Sequence, residues 1–250
     1  MPPVSTTPLP ALDVGEGPVI VLLHGFGMEP RTYERTATLL AERGARVVVP
    51  YLFAVPGRWT VDHAVECLEA TADATGAVRL TLLGHSFGGA LELRLAARRP
   101  ERVEACVFSD TLAVSERMSL ALEAVHPLGL TRMVTRTAVG SFARTAAQHP
   151  VQLARSALWA FAHDRQADIE AVVDAGIPCH VLWAERDTIL DRADGRAFAN
   201  VLGATFTVAE RQPGGPPIDH DWMFDDPELF VDYFVGLELD VMRSLRAREM

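Results

Sequence analysis

Residues 79–99 read RLTLLGHSFGGALELRLAARR. The stretch opens as a strand, Val78 to Leu83, rich in apolar and β-branched residues. It continues as a helix from Phe87 to Arg99, which Pro100 stops. Between them stands G-x-S-x-G, with Gly84, Ser86 and Gly88. A chain that passes from strand to helix in so few residues turns sharply and lifts Ser86 off the strand in a strained backbone conformation. The residues two positions either side of the serine crowd one another, so both must be small, and here both are glycine. Gly89 and Ala90 let the helix approach the sheet. The helix N-terminus then directs partial positive charge at Ser86, a candidate nucleophile.

Working outward, short apolar runs alternate with amphipathic ones. Strands are expected at Pro18–Leu23, Arg46–Pro50, Val103–Ser109, Pro178–Ala184 and Ala204–Val208. Helices are expected at Pro30–Gly44, Val61–Thr75 and from Pro227 to about Leu245. This alternation predicts an α/β fold, a mostly parallel sheet with helices on both faces. Functional groups in such a sheet gather at the carboxyl ends of the strands. Residues 111–177 break the pattern, with helical stretches such as SERMSLALEAVH, VQLARSALWAFA and DIEAVVDAG and no convincing strand. They are read as a helical cap between two parts of one core, 1–110 and 178–250; extra packing helices are the alternative.

Three further stretches carry chemistry. LLHGFG (22–27) ends the first long strand and turns at His-Gly, exposing backbone N–H groups. With the N–H of Phe87, that of Phe26 is a candidate oxyanion donor. His24 is read as a prop of this turn. VLWAERDTILD (181–191) ends a strand and carries Asp187, with Glu185 and Asp191 as neighbours. IDHDWMFDDPELF (218–230) carries His220 in a loop before the last helix. A serine hydroxyl needs a base to take its proton and an acid to hold that base in one tautomer. His220 is the candidate base, and the acid is Asp187 or, one strand earlier in VFSDTL, Asp110.

Taken together, LLHGFG, GHSFGG, ERD and HDWMFDDPELF resemble the α/β-hydrolase superfamily over nearly the whole chain outside the cap. The resemblance implies a triad of Ser86, Asp187 and His220 and an oxyanion hole at Phe26 and Phe87. The sequence departs from the pattern in three places. Ala184 replaces a common glycine before the acid loop. Asp219 replaces the usual glycine before the histidine, so that Asp219 and Asp221 flank the base and are expected to raise its pKa. PYLFAVPGR (50–58) replaces the usual loop after the second core strand.

The 250 residues are 49% hydrophobic, enough for a sizeable core. A net charge of −10 argues against nucleic acid and against an anionic membrane surface. Cys67, Cys106 and Cys179 form no metal-binding pattern and read as free thiols. No secretory signal or membrane-spanning run is visible, and a cytoplasmic location is expected. The expected function is hydrolysis of a carboxylic ester or lactone of a small, largely apolar substrate, with no metal and no cofactor. Monomer and homodimer both remain open. C–C bond hydrolysis or thioester hydrolysis on the same triad are the alternatives, and a small-molecule receptor is the non-enzymatic one. Met28, Trp159, Trp222 and Met223 are candidate pocket residues, with Met118, Met133, His126 and His163 of the cap as further substrate contacts.

Overall fold

The computed structural model describes residues 6–112, 135–162, 164–211, 215 and 217–237. Among the described residues, seven strands form one sheet in the order β1-β3-β2-β4-β5-β6-β7. They are β1 (Ala11–Gly15), β2 (Val19–Leu23), β3 (Arg46–Pro50), β4 (Leu80–His85), β5 (Val103–Ser109), β6 (Cys179–Ala184) and β7 (Thr205–Ala209). All neighbours run parallel except β1, which pairs antiparallel with β3 at the edge. β1 escapes the sequence reading because only alternate residues of this short edge strand are half-buried, whereas β2 is buried throughout.

The pleat splits the apolar residues between two layers. Val19, Val21 and Leu23 of β2 face one side, with α2 (Val61–Ala74), α3 (Phe87–Arg98), α6 (Gln166–Asp174) and α7 (Arg192–Leu202). Ile20 and Leu22 face the other, with α1 (Glu34–Glu42) and α9 (Pro227–Gly236). The helix expected from Pro30 to Gly44 divides into a 3₁₀ turn, Pro30–Tyr33, and α1. α7 is a helix the sequence reading did not place. Asp191 caps it by accepting the N–H of Ala193 at 2.8 Å, and Gly203 ends it at φ 63°. The last helix is described as far as Gly236, and its expected extension to Leu245 lies outside the described residues.

Of the segment 111–177, the stretch SERMSLALEAVH, with Met118 and His126, lies outside the described residues, as do Met133 and His163. α4 (Arg136–Gln148) and α5 (Pro150–Ala162) pack on each other, while α6 lies against α3 and α7, in the layer that covers the sheet. α4 is fastened to the segment after β2. Ser141 Oγ accepts the N–H of Glu29 at 2.8 Å and the hydroxyl of Thr32 at 2.8 Å. Arg144 pairs with Glu29 at 2.5 Å.

Helix α3 runs down the middle and sets the spacing of the functional edge. A Cβ on Gly88 would lie 1.9 Å from the carbonyl oxygen of Leu23, at the end of β2. One on Gly84 would lie 2.5 Å from the Cα of Gly89. Neither neighbour is a flexible side chain that could swing aside. Gly88→Ala should therefore destabilise the protein by about 3 kcal/mol or more, or prevent folding. Gly57→Ala, where a Cβ meets nothing within 4 Å, should cost only the left-handed backbone strain of about 1–2 kcal/mol. Denaturant midpoints of the two variants check this; equal losses would mean that α3 can retreat from β2.

Candidate active site

β2, β4, β5, β6 and β7 are parallel neighbours, so their carboxyl ends emerge along one edge. Ser86 stands at the end of β4 with φ 52° and ψ −118°, a conformation that costs on the order of 1–3 kcal/mol in a residue with a Cβ. The ladder continues through it, since its N–H donates to Ser109 O at 3.0 Å while its carbonyl accepts Gly89 N–H at 3.1 Å. The side chain sits immediately before α3, whose first N–H groups have no partner within the helix.

His220 lies between β7 and α8 (Trp222–Asp225). Its Nδ1 is 2.8 Å from Asp187 Oδ2. Asp187 Oδ1 accepts the N–H groups of Ile189 and Leu190, both at 2.8 Å. The acid is thus anchored by its own loop through one oxygen and offers the other to the ring, which leaves Nε2 of His220 to exchange a proton. The competitors have other work. Glu185 Oε1 accepts Ile218 N–H at 3.1 Å and Asp191 caps α7.

Asp110, the alternative acid, lies within 4.8 Å of Asp187 and His220 but faces other donors. Oδ1 accepts the N–H of Ala184 at 2.8 Å, and Oδ2 accepts Trp222 Nε1–H at 2.6 Å and the hydroxyl of Ser109 at 2.8 Å. Burial, with the charge of Asp187 beside it, pushes its pKa up to about 8. Asp221 is pushed up to about 7, chiefly by burial. For His220, burial alone would lower the pKa. The charge and hydrogen bond of Asp187, with the charges of Asp221 and Asp110, more than offset it and hold the imidazole at about 9. The sequence reading expected Asp219 to share in this. Instead its carboxylate accepts the N–H and hydroxyl of Thr188 and the backbone N–H of His220, each at 2.7–2.8 Å, and braces the loop.

The peptide carrying the Phe26 N–H is set by its own carbonyl, Gly25 O, which accepts His24 Nδ1–H at 3.0 Å and Met28 N–H at 3.2 Å. His24 Nε2 accepts Leu52 N–H at 3.1 Å, and burial lowers this imidazole to about 4. His24 is a neutral strut. The rings of Phe26 and Phe87 meet edge-to-face at 5.7 Å, so the two candidate oxyanion residues brace each other. Phe53, Phe142 and Trp159 extend this aromatic wall. Phe53 lies in the atypical loop after β3, and Phe142 in α4; no motif marked either.

Of the four candidate pocket residues, Trp159 lies on the wall, against Phe87. Met28 follows the Phe26 turn and is packed largely on the α1 side. Trp222 and Met223 are taken up by the core instead. Trp222 packs on Phe230 and Tyr233 and donates to Asp110, and Met223 is fully buried with its carbonyl accepting the Thr36 hydroxyl. Trp222 thus lies between α9 and Asp110, and Met223 belongs to the core on the α1 side. Among the described residues, two groups bring metal-ligand atoms together: His85, His220 and Asp221, and Asp110, Asp187 and His220. The hydrogen bonds above already engage His220 Nδ1 and both oxygens of Asp110.

A family model described as the alpha/beta hydrolase fold matches residues 18–168. A protein of Mycobacterium phage D29 that carries the name of a non-heme haloperoxidase is 28% identical, over 91% of this chain and 90% of its own. The 2-hydroxy-6-oxo-2,4-heptadienoate hydrolase of Pseudomonas putida is 35% identical over 45% of this chain and 44% of its own. Among solved structures, a thermophilic esterase from Thermogutta terrifontis superposes with a TM-score of 0.69 at 19% identity, over 94% of this chain and 93% of that one.

Two expectations follow from the carboxylates. Asp187→Asn should lower kcat by a factor on the order of 10⁴ with little change in binding, because the imidazole loses its fixed tautomer. Asp110→Asn should spare most of kcat and lower stability by about 1–3 kcal/mol, because an amide cannot accept on both sides. Steady-state kinetics beside denaturant unfolding separates the two, and the reverse pattern would make Asp110 the acid.

A protonated His220 cannot accept the serine proton, so kcat/KM should rise with pH along a limb above 6.5, toward about 9. Asp221→Asn removes a charge that favours imidazolium and should move the limb to lower pH. Asp219→Asn should leave it in place. A limb near 6.5 in the unaltered protein would show that the acids do not act on the ring as their positions imply.

Proposed function

This chain belongs to the α/β-hydrolase fold family, and we propose that it cleaves a carboxylic ester or lactone of a small, largely apolar substrate through an acyl-enzyme on Ser86. The observation that carries this reading is the combination of a serine at φ 52° on the turn into α3 with a His220–Asp187 pair at 2.8 Å on the same sheet edge.

In this reading Ser86 Oγ attacks the carbonyl carbon as its proton passes to His220 Nε2. Asp187 keeps Nδ1 protonated and stabilises the imidazolium that forms. The oxygen of the tetrahedral adduct takes the negative charge and is held by the N–H groups of Phe26 and Phe87. Collapse breaks the C–O bond, and His220 returns the proton to the leaving alkoxide. In a lactone that alcohol stays tethered to the acyl group. Water, deprotonated by His220, then releases the carboxylic acid and restores Ser86. The aromatic wall of Phe26, Phe53, Phe87, Phe142 and Trp159 favours an apolar acyl or alcohol group. α4 and α5, with α4 fastened to the Glu29–Thr32 segment, are the proposed roof over this wall. The same triad serves C–C bond cleavage, and the similarity to a 2-hydroxy-6-oxo-2,4-heptadienoate hydrolase keeps that reaction as the second reading.

The test is covalent labelling by an organophosphonate, followed by turnover on short-chain aryl esters, lactones and vinylogous diketones. Ser86→Ala should abolish labelling and lower turnover by a factor on the order of 10⁴ or more. Labelling that survives in the variant would exclude Ser86 as the nucleophile. Turnover confined to diketones would select the second reading, and Trp159→Ala should change which acyl group is preferred without loss of labelling.

A further inference from the structure

Three buried hydrogen bonds join the two loops that flank Ser86, and each atom in them has one admissible role. The carbonyl oxygen of His220 only accepts, so His85 Nε2, 3.0 Å from it, carries a proton. Burial holds the His85 imidazole well below 6.5, so the ring is neutral and Nδ1 is an acceptor. The Tyr33 hydroxyl, 2.6 Å from Nδ1, therefore donates to it. The same hydroxyl oxygen accepts the N–H of Gly25 at 2.9 Å. The chain of donors runs one way, from Gly25 N–H through Tyr33 and His85 to the carbonyl of His220.

The packing around it is tight. A Cβ on Gly25 would lie 3.1 Å from His85 Nδ1 and 3.2 Å from the Tyr33 hydroxyl, so a side chain there would press on the wire by a few tenths of an ångström. Phe224 packs edge-on against both rings, and the His85 ring lies 5.0 Å from that of His220. A buried phenol and a buried imidazole are each costly to desolvate, and each supplies the partner the other needs. One end of the wire is the residue before Phe26, and the other is the base itself.

We propose that Tyr33 and His85 are positioning residues, a directed hydrogen-bond wire that sets the oxyanion loop and the base loop at a fixed spacing across the Ser86 turn. The wire makes Phe26 N–H and His220 Nε2 address one carbonyl group at the same time. It rests on the reading of Ser86 as nucleophile and His220 as base, and it adds to that reading the part that holds the two halves of the site in register.

The experiment is the kinetics of Tyr33→Phe, His85→Gln, His85→Leu and the double variant Tyr33→Phe/His85→Leu on a short-chain aryl ester. Rates are expressed per serine titrated with an organophosphonate, so that a loss of folded protein does not register as a loss of rate. Tyr33→Phe should lower kcat about tenfold to 10²-fold, the size of effect that a misplaced catalytic group produces, with KM nearly unchanged. His85→Gln keeps one donor and one acceptor and should retain more activity than His85→Leu. The double variant should be no slower than the slower single variant, because either substitution already breaks the wire. A Tyr33→Phe rate within about twofold of the parent, or single losses that multiply in the double variant, would overturn the proposal. A parent protein that no phosphonate labels would instead overturn the nucleophile reading, and the wire's catalytic role with it.

Discussion

Without a side chain on Gly88, α3 closes on the carbonyl of Leu23 at the end of β2, and the geometry of the site depends on that approach. A Cβ there would lie 1.9 Å from the carbonyl oxygen, so the turn that carries Ser86 at φ 52° has no room for a bulkier residue at this position. Leu23 also leads directly into His24, Gly25 and Phe26, so the same approach brings the Phe26 and Phe87 segments side by side. The edge-to-face contact of the two phenylalanine rings repeats the constraint at the side-chain level. Strain at one residue, of about 1–3 kcal/mol, is held in place by a whole layer of packing.

Around His220 the constraint is electrostatic. Asp187, Asp110 and Asp221 surround one imidazole, and only Asp187 reaches its Nδ1. Burial of Asp110 and Asp221 raises their own pKa values to about 8 and about 7, so these two lose charge near neutral pH and hold the ring less firmly as the pH falls. His220 is flanked by groups that titrate near its own range. Asp110 also has a backbone φ of 44° and three donors on its two oxygens. It knits β5, β6 and Trp222 together beside the His220–Asp187 pair.

Most of the sheet was legible from the sequence because buried parallel strands such as VIVLL and VEACVFS are apolar in nearly every position. The edge strand ALDVG was not, because a strand with one open side carries too weak a pattern over five residues. Motifs pointed to Ser86 and Asp187 just beyond strand ends and to His220 in the loop before the last helix, since turn chemistry and residue type coincide there. The choice between Asp187 and Asp110 was open, because nothing in either stretch says which way a carboxylate points. Trp222 and Met223 read as pocket residues for the same reason: whether a side chain at the start of α8 enters the core is decided by packing with Phe230, Tyr233 and the α1 side. His85 follows the elbow motif and reads as packing in that turn, and nothing in the sequence singled out Tyr33. Their roles come from hydrogen bonds between residues 52 positions apart and between His85 and a carbonyl 135 positions away.

The fastening of α4 to the Glu29–Thr32 segment has a consequence for how such a protein can change. Ser141 supplies an acceptor to Glu29 N–H and to the Thr32 hydroxyl, Arg144 pairs with Glu29, and the Phe142 ring lies where a side chain on Gly27 would have to go. Helix α4 is therefore not an interchangeable piece. A recombinant that took α4 from another protein would bring a foreign set of partners to the turn that presents Phe26. Wholesale exchange of the helix would disturb that turn, whereas point changes at positions of α4 that touch neither Glu29, Thr32 nor Gly27 leave the fastening in place.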